Sequence, residues 1–293
     1  MSVYVSTTYL GDGSDIQEAI DELKTKRITN IELGSNHHQL QIKNLVLDSG
    51  SQYIAHNYFP PKDPNFVLNI ASQSNKVQDQ SVKFIKNTIK LCQRLDIRFY
   101  TIHPGFLGDV TLSKERREPR NFDFRFAKNA FNKKRQTVVQ TTVQTIRDIY
   151  KFAKKYDVQL LIENEGSKTS PDFVIFDNPV ELDMLKKAVG ESFKFNFNLA
   201  HATLAGIDLK DSKTFNYFYK NSEFFEVSEI QGIYDSHLPI FLNKGQISLL
   251  IKRYSRYFAN KNIILEYRNT NIKEVNRSYI VAKKLLNPLP PPV

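Results

Sequence analysis

Short apolar runs with strand-like character recur along the chain at "VYVST", "NIELG", "YIAHNYF", "IRFYTIH", "VQLLIEN", "FKFNFNL", "FFEVSEI" and "NIILEYRN". Between them lie stretches whose apolar residues return every three or four positions, the period of an amphipathic helix. The clearest are "DIQEAIDELKTK", "QSVKFIKNTIKLCQRL", "TVVQTTVQTIRDIYKFAKKY", "NPVELDMLKKAV", "GQISLLIKRYSRYFA" and "IKEVNRSYIVAKKLL". Two helix starts are legible: Ser14-Asp15 offers side-chain acceptors before the first, and Asn178-Pro179 puts proline in the first turn of another.

Strand alternating with helix predicts a parallel sheet. Eight such strands predict an α/β chain folded as a (β/α)8 TIM barrel, a closed eight-stranded parallel sheet with outer helices, running over 1–293 as a single domain. The competing doubly wound open sheet is weakened because no GxGxxG or Walker-type loop follows a strand. Two segments stand outside the alternation. One is an excursion after the fourth strand, 109–135, and the other a proline-rich tail, 287–293.

Composition narrows the class. Apolar residues make up 41% and charged residues 25%, as in globular proteins. No apolar run approaches a membrane span, and the first residues show no signal-peptide pattern. The single cysteine, Cys92, has no internal disulfide partner and reads as a buried thiol of a reducing, cytoplasmic compartment. The net charge of +10 suits an anionic partner. Between Lys114 and Arg135 the excursion carries nine Lys/Arg against three Asp/Glu, interleaved with four phenylalanines.

The candidate chemistry lies where strands end. "FYTIHPG" stops a strand at His103, and His56, His201, His237, Glu32, Glu163, Asp235 and Glu266 hold comparable places. One such residue is most simply a satisfied core side chain. Eight of them at strand ends converge, in a barrel, on the face where active sites form. Imidazole and carboxylate together suit Zn²⁺ or Mn²⁺. His37 and His38 read instead as surface residues of a loop.

The ordered set "IELG", "AHNYF", "FVLNIAS", "TIHPG", "LLIEN", "NLAHATLAGIDL", "YDSHLPI" with "GQI", and "IILEY" resembles the xylose isomerase-like TIM-barrel superfamily, from about residue 30 to 268. In its sugar isomerase and epimerase branch the resemblance implies one divalent ion held by Glu163, Asn198, a strand-seven residue and Glu266, with Glu163 and Glu266 moving a proton on a sugar or sugar phosphate. In its endonuclease IV-type branch it implies three zinc ions and an abasic-site DNA substrate. The first ion falls to His56, His103 and Glu163, and the third to His201, Asp235 and His237. Both branches expect Asp where this chain has Asn198, and histidine where "FFEVSEIQG" offers Glu226, Ser228 or Glu229. Asn198 is expected to coordinate through its carbonyl oxygen. The substrate is expected to meet His201, Glu32, Asn57 and Arg268, with Arg116, Arg117 and Arg120 of the excursion binding an anionic group. The sugar enzyme is the first expectation and the nuclease the second. The third is a metal-depleted barrel that binds a ligand or acts as a lyase. Barrels of this kind often associate, so a homo-oligomer is compatible with the reading.

Overall fold

The computed structural model describes residues 2–34, 36–37, 45–60, 67–112, 124–126, 135–240 and 245–286. Twelve strands lie among them: β1 (Val3–Ser6), β2 (Asn30–Leu33), β3 (Gln52–His56), β4 (Phe99–Ile102), β5 (Val110–Leu112), β6 (Phe124–Phe126), β7 (Gln159–Glu163), β8 (Phe195–Asn198), β9 (Ser222–Val227), β10 (Glu229–Gln231), β11 (Tyr234–Leu238) and β12 (Asn262–Leu265). Eight close into a barrel in the order β1-β12-β9-β8-β7-β4-β3-β2, and neighbours pair in parallel. These eight are the expected strands, and the TIM-barrel architecture is the expected one.

The helices are α1 (Ile16–Thr25), α2 (Asn75–Arg94), α3 (Arg135–Lys154), α4 (Pro179–Val189), α5 (Leu199–Leu204), α6 (Ser212–Asn221), α7 (Gln246–Arg253), α8 (Ser255–Phe258) and α9 (Ile272–Leu286). Asp15 caps α1 by accepting from Gln17 N at 2.7 Å, and Asn178 caps α4 by accepting from Glu181 N at 3.0 Å. Inward helix faces and outward strand faces form one continuous apolar layer that includes Ile20, Ile89, Cys92, Ile146, Leu185, Phe215 and Tyr267. Phe197 of β8 stacks on Phe218 of α6 with centroids 4.0 Å apart. Each such buried ring contributes about 1.5–3 kcal/mol. No helix among the described residues is long and apolar enough to cross a membrane.

Two-residue periodicity places the site. Side chains two apart on a strand share a face. Tyr4, Ile54, Leu161, Phe224 and Ile264 pack together inside the barrel, with Phe99 against them. Phe224 meets Tyr4 and Phe99 edge-on, with centroids 5.5 and 5.0 Å apart. One pleat step further along the same strands stand Ser6, His56, Glu163, Glu226 and Glu266. Thus an apolar floor carries a polar layer directly above it.

Some expectations change. Helices α5 and α6, the 3-10 turn at Thr7–Leu10, and the antiparallel pairs β5–β6 and β10–β11 were not legible as elements. His37 is not a surface residue. It is buried, with Nδ1 2.9 Å from Ser14 Oγ and Nε2 2.8 Å from Thr7 Oγ1, because the loop after β2 folds back over the 3-10 turn. His38, Arg116, Arg117, Arg120 and residues 287–293 lie outside the described residues. Of the excursion 109–135, the structure describes Asp109, the β5–β6 pair and Arg135. Arg135 opens α3 and ion-pairs with Asp177 at 2.6 Å and Glu181 at 2.7 Å.

Candidate metal centre

At the carboxyl end of the barrel, four imidazoles and six carboxyl groups come together within one network. His56 ends β3, and its Nε2 lies 2.8 Å from Glu163 Oε2 at the end of β7. His103 follows β4 directly, its Nε2 3.2 Å from the same oxygen. The Pro104-Gly105 turn that releases His103 from the strand has φ +98° at Gly105, where a Cβ would stand 2.5 Å from Asn69 Oδ1. Only glycine suits that turn. His201, in α5, reaches the other Glu163 oxygen through Nδ1 at 3.1 Å.

A second cluster adjoins the first. Asp235 and His237 sit on β11, which pairs with β10 and folds over the rim. Asp235 Oδ2 lies 3.0 Å from both His201 Nε2 and His237 Nε2. His237 has φ +44°, a left-handed backbone that costs a non-glycine residue on the order of 1–3 kcal/mol. Its Nδ1 is 2.9 Å from Glu266 Oε2, just past β12.

Two of the four imidazoles share one arrangement. Nδ1 of His103 meets Glu165 at 2.5 Å, and Nδ1 of His201 meets the Asn164 carbonyl at 2.9 Å. The Nδ1–H of His103 and of His201 is held by a hydrogen bond, which turns the Nε2 lone pair outward as in protein metal ligands, whereas His237 Nδ1 stands near Glu266 without hydrogen-bond geometry. Single donor atoms of His56, His103 and Glu163 lie within 4.8 Å of one another. A divalent ion bonded at about 2.0–2.1 Å to each donor fits such a group. The His201–Asp235–His237 group offers the same donor types, two Nε2 atoms each 3.0 Å from one carboxylate oxygen, but of the two groups only the first has all its donors within 4.8 Å of one another.

Electrostatics follow from that crowding. Burial would raise Glu163, but His103, His201 and His56 hold its carboxyl well below the usual range. Burial lowers the His103 imidazolium, and Glu163 and Glu165 more than reverse this, to about 10. His237 is raised to about 9, where Asp235 and Glu266 outweigh burial. Asp235 is held well below its ordinary range by His237 and His201 against the effect of burial. Burial lifts Glu32 to about 7, opposed by His56. Glu226, buried beside Glu163 and Glu266, is pushed well above the usual carboxylate range.

The other expected residues are placed as follows. Asn198 is at the end of β8, and its carbonyl oxygen does not face the centre. Oδ1 accepts from His201 N at 3.0 Å, and Nδ2 donates to Glu163 Oε1 at 3.0 Å and Glu226 Oε1 at 2.7 Å. The strand-seven position falls on Glu226; Ser228 and Glu229 lie beyond it, and Glu229 instead accepts from Ile247 N and Ser248 N at the start of α7. Glu32 of β2 is fully buried in the polar layer. Asn57 is buried beside His56 with φ +30°, its backbone carbonyl accepting from the Tyr100 hydroxyl at 2.6 Å. Arg268 stands at the rim, Nη2 3.8 Å from Glu266 Oε1. Glu165, Asn164 and Asn196 were missed. "IENEG" held the signal for the first two, since a carboxylate two residues past Glu163 keeps the same facing.

Residues 24–248 match the family described as the xylose isomerase-like TIM barrel. The chain belongs to that family. Over its whole length, an uncharacterized protein of Methanocaldococcus jannaschii, MJ1614, is 22% identical, the match covering 98% of this chain and 100% of that one. Among solved structures, a D-tagatose 3-epimerase-like protein superposes with a TM-score of 0.71 at 17% identity, covering 98% of this chain and 97% of the other. The IolI protein with a bound zinc atom superposes at 0.66 and 10% identity, covering 98% of each. At these identities the likeness establishes the shared fold.

Close packing around α5 gives a first prediction. A Cβ on Gly166 would lie 1.9 Å from the His201 carbonyl oxygen. Gly166→Ala must therefore displace the start of α5. It is expected to cost about 1–3 kcal/mol of stability and to weaken zinc binding at the His201 group more than at the His56 group. Denaturant unfolding and zinc competition titration measure both.

Proposed function

We propose that the chain is a metal-dependent phosphodiester hydrolase of the abasic-site nuclease type. The carrying observation is the His56–His103–Glu163 group, whose donors lie within 4.8 Å of one another, adjoined by His201, Asp235 and His237, with the His103 and His201 rings turned by an Nδ1 hydrogen bond so that Nε2 faces its group. Divalent ions held there would supply a Lewis acid for a phosphoryl oxygen and a water of lowered pKa. Zinc suits these nitrogen-rich donors, with manganese the other candidate. The chain's own residues do the rest. Glu163 ties both groups into one unit, Glu165 fixes the orientation of the His103 ring, and Arg268 supplies a cation at the rim for a phosphate. The net charge of +10 favours a polyanionic substrate.

The second reading is a sugar isomerase or epimerase with Glu163 and Glu266 as the acid/base pair. The placement of those two glutamates three strands apart around the barrel favours it. A proton shuttle, however, needs an oxygen free to approach a carbon and a pKa near the working pH. Both Glu163 oxygens are engaged, by His56 and His103 on one side and by His201 and Asn198 on the other.

One experiment separates the two. Protein supplied with ZnCl2 or MnCl2 is incubated with an oligonucleotide carrying one abasic site and, in parallel, with D-tagatose. Strand cleavage that chelator abolishes and added metal restores is expected. Epimerisation of the ketose without cleavage transfers the assignment to the second reading, and neither activity removes the first.

A further inference from the structure

We infer that the position between the two imidazole–carboxylate groups, where the family's resemblance implies a metal, is closed to metal by the amide of Asn198. That position would draw on Glu163, residue 198, the strand-seven residue and Glu266. Its fit can be read from the Asn198 side chain. Oδ1 caps α5 by accepting from His201 N at 3.0 Å, so the Nδ2 end must face the carboxylates. There it spends its hydrogens on Glu163 Oε1 and Glu226 Oε1, at 3.0 and 2.7 Å. An amide NH2 donates and has no lone pair for a cation. Turning the amide over would set Nδ2 against the His201 N–H, donor on donor, and would strip both carboxylates of their partner.

The neighbours hold this orientation. The Asn164 side chain accepts from Asn198 N at 2.7 Å and donates to the Asn198 carbonyl at 3.1 Å, fixing the peptide on both sides. Glu226, which stands where the resemblance expects histidine, takes a second amide from Asn196 on its other oxygen at 2.8 Å. Both departures from the expected ligands thus belong to one arrangement. The Asn198 amide bridges the buried carboxyl groups of Glu163 and Glu226 and carries no charge. The donor groups that remain open to metal are the two flanking ones.

The test is the number of metal ions per chain. Full-length protein, its Asn198→Asp variant and its Asn198→Asp/Glu226→His variant are stripped with chelator, reloaded with ZnCl2, gel-filtered and measured by elemental analysis. Aspartate keeps the acceptor for His201 N and frees its other oxygen. The double variant is expected to hold one zinc more per chain than the wild type, two rising to three. An unchanged count, or three in the wild type, overturns the inference. If the double variant does not fold, melting of Asn198→Asp decides. Its stripped form should melt below the wild type, because three carboxylates then face one another, and ZnCl2 should raise its melting temperature more than the wild type's. An equal response overturns the inference. The count does not depend on the reaction assigned above. No strand cleavage together with a gain of one zinc would remove that reading and leave this one standing.

Discussion

Replacing Glu163 by glutamine is expected to abolish turnover and zinc uptake at the His56–His103 group together. The carboxylate faces His56, His103 and His201 and accepts from Asn198, all within 2.8–3.2 Å. Glutamine keeps the volume, removes the charge and places an NH2 where an acceptor is required. Removing one partner from a buried ionic network costs about 3–5 kcal/mol, since the remaining charges lose their compensation. The metal-free variant should unfold at markedly lower denaturant concentration than the metal-free wild type. Zinc stoichiometry, cleavage rate and urea unfolding on the same preparation check the result. A variant that cleaves and binds zinc normally would remove Glu163 from the centre.

Zinc affinity is expected to depend steeply on pH. In the metal-free protein His103 is raised to about 10 and His237 to about 9, so both are protonated at neutral pH. Each belongs to a different group, and each must lose its proton before Nε2 can bind an ion. The sign follows directly: below about 9, every unit decrease in pH strengthens proton competition. The apparent dissociation constant should rise about tenfold per unit for each proton released, and more steeply at the His201–Asp235–His237 group, where Asp235 and Glu163 raise His201 well above its ordinary value against burial. Competition against a chromophoric chelator at pH 6, 7 and 8 measures it. A constant that does not move with pH would mean that these rings are neutral before metal arrives.

Which of these features could be read from the chain followed from periodicity. The polar ends of "YIAH", "LLIE" and "IILEY" announced the polar layer, whereas the apolar floor two residues before them emerges from the structure. Glu226 was harder. Without the pairing Asn198↔Glu226, the run "FFEVSEI" offers three polar residues and no register. The helix α6 was hidden by its aromatic sequence, "SKTFNYFYKN", in which only Phe215 and Phe218 prove to be buried. The orientation of Asn198 was invisible in principle. An asparagine offers both an oxygen and a nitrogen, and only the first turn of α5 decides which one turns toward Glu163. His37 was misjudged for a related reason, because its partners Thr7 and Ser14 are far off in sequence and near only after the barrel closes.

The floor of Tyr4, Ile54, Phe99, Leu161, Phe224 and Ile264 has a further consequence. It fills the barrel beneath the histidines with apolar side chains. Carbon-rich side chains offer little hydrogen bonding from below, so the buried imidazoles and carboxylates above them are left to satisfy one another sideways, across the barrel.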